Sequence, residues 1–182
     1  MFKSKSDELG SSSQVKSSVQ KGIRHKVSEL YPNLEEFMEE ILPKKCSMTM
    51  GKIKPGNDIS IIFVNGEATF FQQKDGPLLP TLRLLHKYPF MCPHMQVDKG
   101  AIKFMLTGAN PMCPGFTSPG GRMDEVEEDQ VVAIMCEGME HAVAIGITTL
   151  STEQIKAVNK GKAVENCHYL GDRFWTKEIL GQ

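Results

Sequence analysis

Lys99, Lys103 and Thr107 stand four residues apart in a chain of 182 residues. That spacing lines them along one helix face, where solvent or a phosphate oxygen can reach them. Asp98 offers an N-cap oxygen to the free amides of the first turn. Ile102, Met105, Leu106 and Ala109 recur at i, i+3, i+4 and i+7, which predicts a buried stripe on another face. Gly108 is placed to end the helix, and Asn110-Pro111 followed by Pro114-Gly115 turns the chain. A short glycine-ended helix with lysines on its open side lets a backbone come close to a bulky polymer.

Residue types that make or break covalent bonds are present but scattered. The histidines at 25, 86, 94, 141 and 168 have no nucleophile motif beside them. Cysteines at 46, 92, 113, 136 and 167 are odd in number and show no C-x2-C spacing. They read as reduced thiols in a reducing compartment. No phosphate-cradling or dinucleotide glycine motif occurs, and no His/Cys/acid set has metal spacing. Glu35, Glu36, Glu39 and Glu40 read as a solvated helix surface. The expectation is a non-enzyme with no cofactor and no metal.

The chain is 40% hydrophobic and 24% charged, ordinary for a globular protein able to bury a core. Residues 1–92 carry 13 Lys/Arg against 10 Asp/Glu, whereas residues 93–182 carry 8 against 12. With no polybasic tail, duplex binding driven by bulk charge is excluded, and any RNA contact must be local. No apolar run approaches the roughly 18 residues of a membrane-spanning helix. The polar start lacks the apolar centre of a secretory signal, so a cytoplasmic protein is expected.

The elements that must position the lysine face begin with a mobile arm over 1–13. Val15, Val19, Ile23, Val27 and Leu30 predict an amphipathic helix over Gln14–Leu30. Asn33 with Glu36 offers a capping box for a second helix carrying Leu34, Phe37, Met38, Ile41 and Leu42. Strands follow at Met48–Lys54, Ile59–Val64 and Ala68–Gln72, with a turn at Pro55-Gly56-Asn57-Asp58 and a hairpin turn at Asn65-Gly66. Pro80 suits the first position of a helix over Thr81–Lys87. Pro89 and Pro93 mark a junction, which makes residues 1–92 an α+β domain. Beyond it, Val131–Cys136 and Ala142–Ile147 are nearly continuous apolar runs, as in strands of a small closed barrel buried on both faces. Gly146 marks a bulge or close approach. Ser151 with Gln154 boxes the start of a helix over Gln154–Asn159, and Val164–Leu170 is a last strand. Trp175 is expected to close the barrel. Asp124–Asp129 reads as a solvated acidic excursion, and Ser118-Pro119 as either turn chemistry or a phosphorylation site.

Val97-Asp-Lys-Gly-Ala-Ile-Lys-Phe and Thr107-Gly-Ala-Asn-Pro-Met-Cys-Pro-Gly-Phe-Thr-Ser-Pro-Gly closely resemble the PUA domain of the malignant T-cell-amplified sequence family, which includes translation machinery-associated proteins. Pro80-Thr-Leu-Arg-Leu-Leu-His-Lys-Tyr-Pro, Ala142-Val-Ala-Ile-Gly and Glu165-Asn-Cys-His-Tyr-Leu-Gly-Asp extend the likeness along most of the chain. The resemblance implies an α+β pre-PUA domain over 1–92 and a mostly-β PUA pseudo-barrel with short helices over 93–182. It implies a translation factor that binds the small ribosomal subunit with a density-regulated-type partner protein. Such a factor acts in reinitiation, tRNA recruitment or release of deacylated tRNA during recycling, with contact near the tRNA CCA end. Carried over, the RNA groove comprises Lys99, Gly100, Ala101, Lys103, Gly108, Asn110, Met112, Pro114 and Gly115. The lysines meet phosphates, the glycines permit approach and Met112 lies against a base. Two features depart from the family pattern, Pro111 and the acidity of residues 122–129.

A second candidate surface consists of Lys16, Lys21, Arg24, Lys26, Lys44, Lys45, Arg83 and Lys87, provided that the first and third helices pack side by side. Two other readings stay open. One is a specificity subunit of a tRNA- or rRNA-modifying complex, and the other a scaffold controlled by phosphorylation at Ser118.

Overall fold

Pairing at the open edge of one strand decides how the chain begins. In the computed structural model, which describes residues 1–56 and 58–181, β1 (Glu8–Leu9) and β2 (Ser13–Gln14) both pair antiparallel with β3 (Met48–Lys54). Residues 1–13, expected as a mobile arm, are therefore laid on the fold, and Phe2 is fully buried. Helix α1 (Ser17–Leu30) starts three residues later than expected, because Val15 N–H donates to Met48 O and Lys16 is extended. Ile23 and Val27 are buried in α1, but Val19 and Leu30 are exposed, so the stripe is covered only at its centre.

The Asn33–Glu36 capping box does not form. Pro32–Phe37 is a 3-10 turn running into α2 (Met38–Ile41), and Asn33 Nδ2 instead donates to Phe90 O. Strands β3, β4 (Ile59–Val64), β5 (Glu67–Gln73) and β6 (Leu78–Pro80) form consecutive antiparallel pairs. Asn65 and Gly66 both take positive φ, 51° and 86°, as a type I′ hairpin turn requires. Asn57, in the turn expected at 55–58, lies outside the described residues. Pro80 closes β6 rather than opening a helix. Thr81 caps α3 (Leu82–Lys87) instead, its Oγ1 accepting from Leu84 N–H at 3.3 Å.

A second sheet starts at β7 (His94–Val97). After the 3-10 turn Lys99–Ala101 come α4 (Ile102–Met105), α5 (Cys113–Thr117), β8 (Arg122–Met123), β9 (Val131–Cys136), β10 (Ala144–Thr148), α6 (Thr152–Val158) and β11 (Val164–Tyr169). The strand order is β11-β10-β9-β7-β8, with β7 parallel to β9. This sheet is open, which corrects the closed barrel. Gly146 sits at a register shift between β10 and β11, and a Cβ there would lie 2.4 Å from Glu165 O. The Ser151–Gln154 capping box forms as expected.

All six residues of β9 are buried, because the strand serves two cores. Val131, Ala133 and Met135 face the cluster built around the first sheet, while Val132, Ile134 and Cys136 face the cluster of the second. Phe174 and Ile179 also join the first cluster, so the halves share apolar packing. Trp175 lies on this seam instead of closing a barrel. The Arg83 guanidinium sits 4.4 Å from its ring centroid and donates to its carbonyl.

All five cysteines are free thiols, and only Cys46 is not buried. Burial pushes the thiols of Cys92 and Cys167 up to about 12 and that of Cys136 to about 11, leaving almost no thiolate at neutral pH. Native treatment with iodoacetamide is accordingly expected to alkylate Cys46 alone. Peptide mass spectrometry before and after unfolding checks this, and comparable early labelling of Cys92 or Cys167 would contradict it.

Candidate nucleic-acid interface

Asp98 caps the lysine-bearing turn as its position implies, Oδ1 accepting from Ala101 N–H at 3.1 Å. The helix that follows is shorter than its sequence pattern. It closes in a Schellman motif, with Gly108 N–H donating to Met105 O and Ala109 N–H to Phe104 O, both at 3.0 Å. Unwinding after Met105 rotates Leu106 into solvent. Met105 is buried, Ile102 and Ala109 are half-buried against the same core, and only Leu106 leaves the expected four-residue stripe.

Phe104 is 52% and Met112 50% exposed. Lys103 Nζ stands 5.0 Å from the Phe104 ring centroid. Lys99 and Lys103 are exposed, and neither has an ion-pair partner among the described residues. Behind them the Glu137 carboxylate accepts from the Lys99 backbone N–H at 3.1 Å. Two lysines without ion pairs beside an exposed aromatic face match the demands of a single-stranded nucleic acid, phosphates for the lysines and a base for the ring.

The other groove candidates divide. Gly100, Met112 and Pro114 are exposed. Gly108 is buried, and its missing Cβ serves the protein itself: a Cβ there would lie 2.3 Å from the Tyr169 ring. Its carbonyl is also taken, by Lys3 Nζ at 2.6 Å. Gly115 faces Val97 and Ala101 rather than solvent. Asn110 Oδ1 accepts from Asn166 N–H at 2.9 Å, and Pro111 O accepts from Ala163 N–H. Gly108, Gly115 and Asn110 therefore hold the loop in shape.

The second surface does not assemble as one patch. Helix α1 packs on β6 and the Pro32–Phe37 turn, while α3 packs on the Pro89–Met91 turn. The acidic residues expected to be merely solvated neutralise three of its eight basic side chains. Glu39 pairs with Arg24 at 2.8 Å and Lys44 at 3.6 Å, and Glu40 with Lys87 at 2.8 Å. The hydrogen bond from Lys87 holds the Glu40 carboxyl below its usual range. Arg83 is committed to Trp175. Lys16, Lys21, Lys26 and Lys45 remain exposed and without ion pairs among the described residues. Ser118 is half-buried at the end of α5, its hydroxyl donating to Pro114 O.

The most elaborate polar arrangement lies elsewhere and was not legible from the histidine positions. His168 Nδ1 donates to Asp172 Oδ2 at 2.7 Å, both side chains being buried. Asp172 also accepts from the amides of Tyr169, Phe174 and Trp175. The imidazole packs among the rings of Phe2, Phe71 and Phe174. Its i, i+4 spacing was the available signal, and the pair is a structural joint. Among the described residues no group of three or more His, Cys, Asp or Glu is arranged to hold a metal, and no helix is long and apolar enough to cross a membrane.

Comparison with known proteins matches residues 3–89 to the Pre-PUA-like domain and residues 92–173 to the domain described as "elF2D, PUA domain". The malignant T-cell-amplified sequence 1 homolog of Drosophila melanogaster is 52% identical over 179 residues, 96% of this chain and 97% of its own length. Malignant T-cell-amplified sequence 1 of Danio rerio is 51% identical over 162 residues, 89% of this chain and 88% of that protein. Among solved structures, a hypothetical protein of Pyrococcus horikoshii superposes with a TM-score of 0.75 at 26% identity, covering 92% of this chain and 99% of that one. A PUA domain protein of Aeropyrum pernix, at 22% identity and a TM-score of 0.71 over 97% of this chain and 95% of its own, shares the fold. With about half its residues in common with these relatives along nearly their whole length, the chain belongs to the malignant T-cell-amplified sequence family and joins a Pre-PUA domain to a PUA domain.

Proposed function

We propose that this protein is a non-catalytic, RNA-binding translation factor of the cytoplasm that works on the small ribosomal subunit beside a density-regulated-type partner. Family membership and the PUA domain support the general reading, an RNA-binding protein of translation. The observation that carries the rest is the edge formed by Lys99, Lys103, Phe104 and Met112, where cations without counter-ions adjoin exposed apolar side chains. In this reading the lysines meet phosphates near the tRNA CCA end or in ribosomal RNA, and an unpaired base lies on Phe104 or Met112. Bound there, the protein promotes reinitiation, tRNA recruitment or release of deacylated tRNA. The PUA unit, residues 93–182, supplies the RNA contact. The pre-PUA unit, residues 1–92, holds it through the shared core and offers Lys16, Lys21, Lys26 and Lys45 as a weaker second contact.

Charge reversal at the edge tests the reading. The Lys99→Glu/Lys103→Glu variant is expected to bind small subunits at least about tenfold more weakly and to lose about two units of slope in log affinity against log salt. Sedimentation with purified subunits over a salt series measures both. A folded variant that binds as tightly as the parent would remove the RNA role and favour a scaffold.

A further inference from the structure

A second cleft of opposite character lies at the other end of β7. Two depressions, of about 300 and 400 Å³, adjoin at Pro93, which lines both. Their floor is the segment 90–94 that joins the two sheets. One wall is the end of α1 and the turn after it, residues 30–33, and the other is the acidic loop before β9. Leu30 and Phe90, each 43% exposed, give the cleft apolar ground.

The acidic wall is held still from behind. Asp124 N–H donates to His94 O at 3.0 Å, Val126 N–H to Thr152 Oγ1 at 3.0 Å and Asp129 N–H to Thr148 O at 2.9 Å. Val126 is buried, while Glu125, Glu127, Glu128 and Asp129 are exposed. None of these four carboxylates has an ion-pair partner among the described residues, in contrast to Glu39 and Glu40. Charges presented from a rigid frame add little ordering cost when a ligand arrives.

Such a cleft repels a polyanion, attracts cationic side chains and rewards an apolar one. Because β7 separates it from Lys99, RNA docked on the lysine edge leaves it free. We propose that it docks a lysine- or arginine-rich segment of a protein partner, laid across Pro93 with an apolar side chain against Leu30 and Phe90. The proposal requires no RNA contact, so its failure and that of the lysine-edge reading are separable.

The probe is a fluorescein-labelled peptide, Gly-Lys-Arg-Leu-Lys-Arg-Phe-Gly, with two controls: the same peptide carrying glutamate at each basic position, and octauridine. At about 50 mM salt, where screening is modest, anisotropy is expected to show binding of the basic peptide only. Amide shifts of the full chain should gather at 30–33, 90–94 and 124–131. The Glu125→Lys/Glu127→Lys/Glu128→Lys variant should weaken binding at least about tenfold, and Leu30→Ser about threefold, circular dichroism confirming that both fold. Absence of binding, equal binding by the triple variant, or shifts centred on residues 99–107 would overturn the assignment. So would octauridine seated in the cleft, or self-association that the triple variant abolishes.

Discussion

Replacing Asp172 by alanine is expected to cost about 3–5 kcal/mol of stability, the scale for breaking a buried, hydrogen-bonded pair from one side. The carboxylate accepts from the amides of Tyr169, Phe174 and Trp175 and from His168 Nδ1, so its removal orphans four donors at once. Each donor left dry costs about 1–3 kcal/mol before relaxation. Asparagine keeps the volume and one acceptor but turns an amide N–H toward some of these donors, and is expected to lose about half as much. Urea unfolding followed by fluorescence of the single tryptophan reads this directly, since Trp175 rides on the same turn. An unchanged midpoint for Asp172→Ala would show that solvent reaches the turn and that the pair is not a joint. The consequence reaches the functional edge, because Tyr169, anchored by Asp172, packs on Gly108 behind the lysine turn.

The second large effect belongs to Phe2. Its ring is fully buried against Phe174 at 4.6 Å, Phe71 at 5.3 Å and His168 at 5.8 Å between centroids. A buried Phe→Ala change leaves a cavity worth about 3–5 kcal/mol. A residue so near the chain end can retract, so the lower figure is expected. About 3 kcal/mol corresponds to a fall in Tm of roughly 6–12 °C for a domain of this size. Phe2→Leu should keep most of the stability. Hydrogen exchange adds a positional readout: in Phe2→Ala the amides of Leu9 and Gly10 should lose protection first, because the strap pairing with β3 is released with its anchor. Equal protection in parent and variant would mean that strand pairing alone holds the segment.

Both residues mark where local patterns stop being informative. Apolar spacing located α1, β3, β4 and β5, and the continuous apolar run located β9, because each of these elements buries side chains against a core. The Asn65-Gly66 hairpin and the Ser151 capping box were readable because each is set by residues adjacent in sequence, and the Gly146 bulge because a glycine inside an apolar run marks a close approach. The pairing of Ser13–Gln14 with β3 and the parallel pairing of β7 with β9 were not, since strands of two to four residues carry too little periodicity and take their partners from far along the chain. Phe2 looked like part of a polar arm because the nine polar residues among positions 3–13 outvote one ring in any window. The site shows the same division: Asp98, Lys99 and Lys103 stand where the spacing put them, whereas the packing of Gly108 on the Tyr169 ring is set by a residue far along the chain.

By itself the amino-acid order determined the Asp98 and Ser151 caps, the Asn65-Gly66 turn and the lysine spacing, which depend on interactions within about four residues, and it marked the main strands by their apolar pattern. It also carried the family likeness that nearly full-length relatives bear out. Only the tertiary structure decided which charges are free. Glu39 and Glu40 neutralise Arg24, Lys44 and Lys87 across distances in sequence of 5 to 47 residues, while Lys99, Lys103 and the carboxylates of residues 125–129 have no ion-pair partners among the described residues. Whether a charge is spent inside the molecule or offered outside it depends on which surfaces the two shared cores bring together, and that is a property of the packed chain.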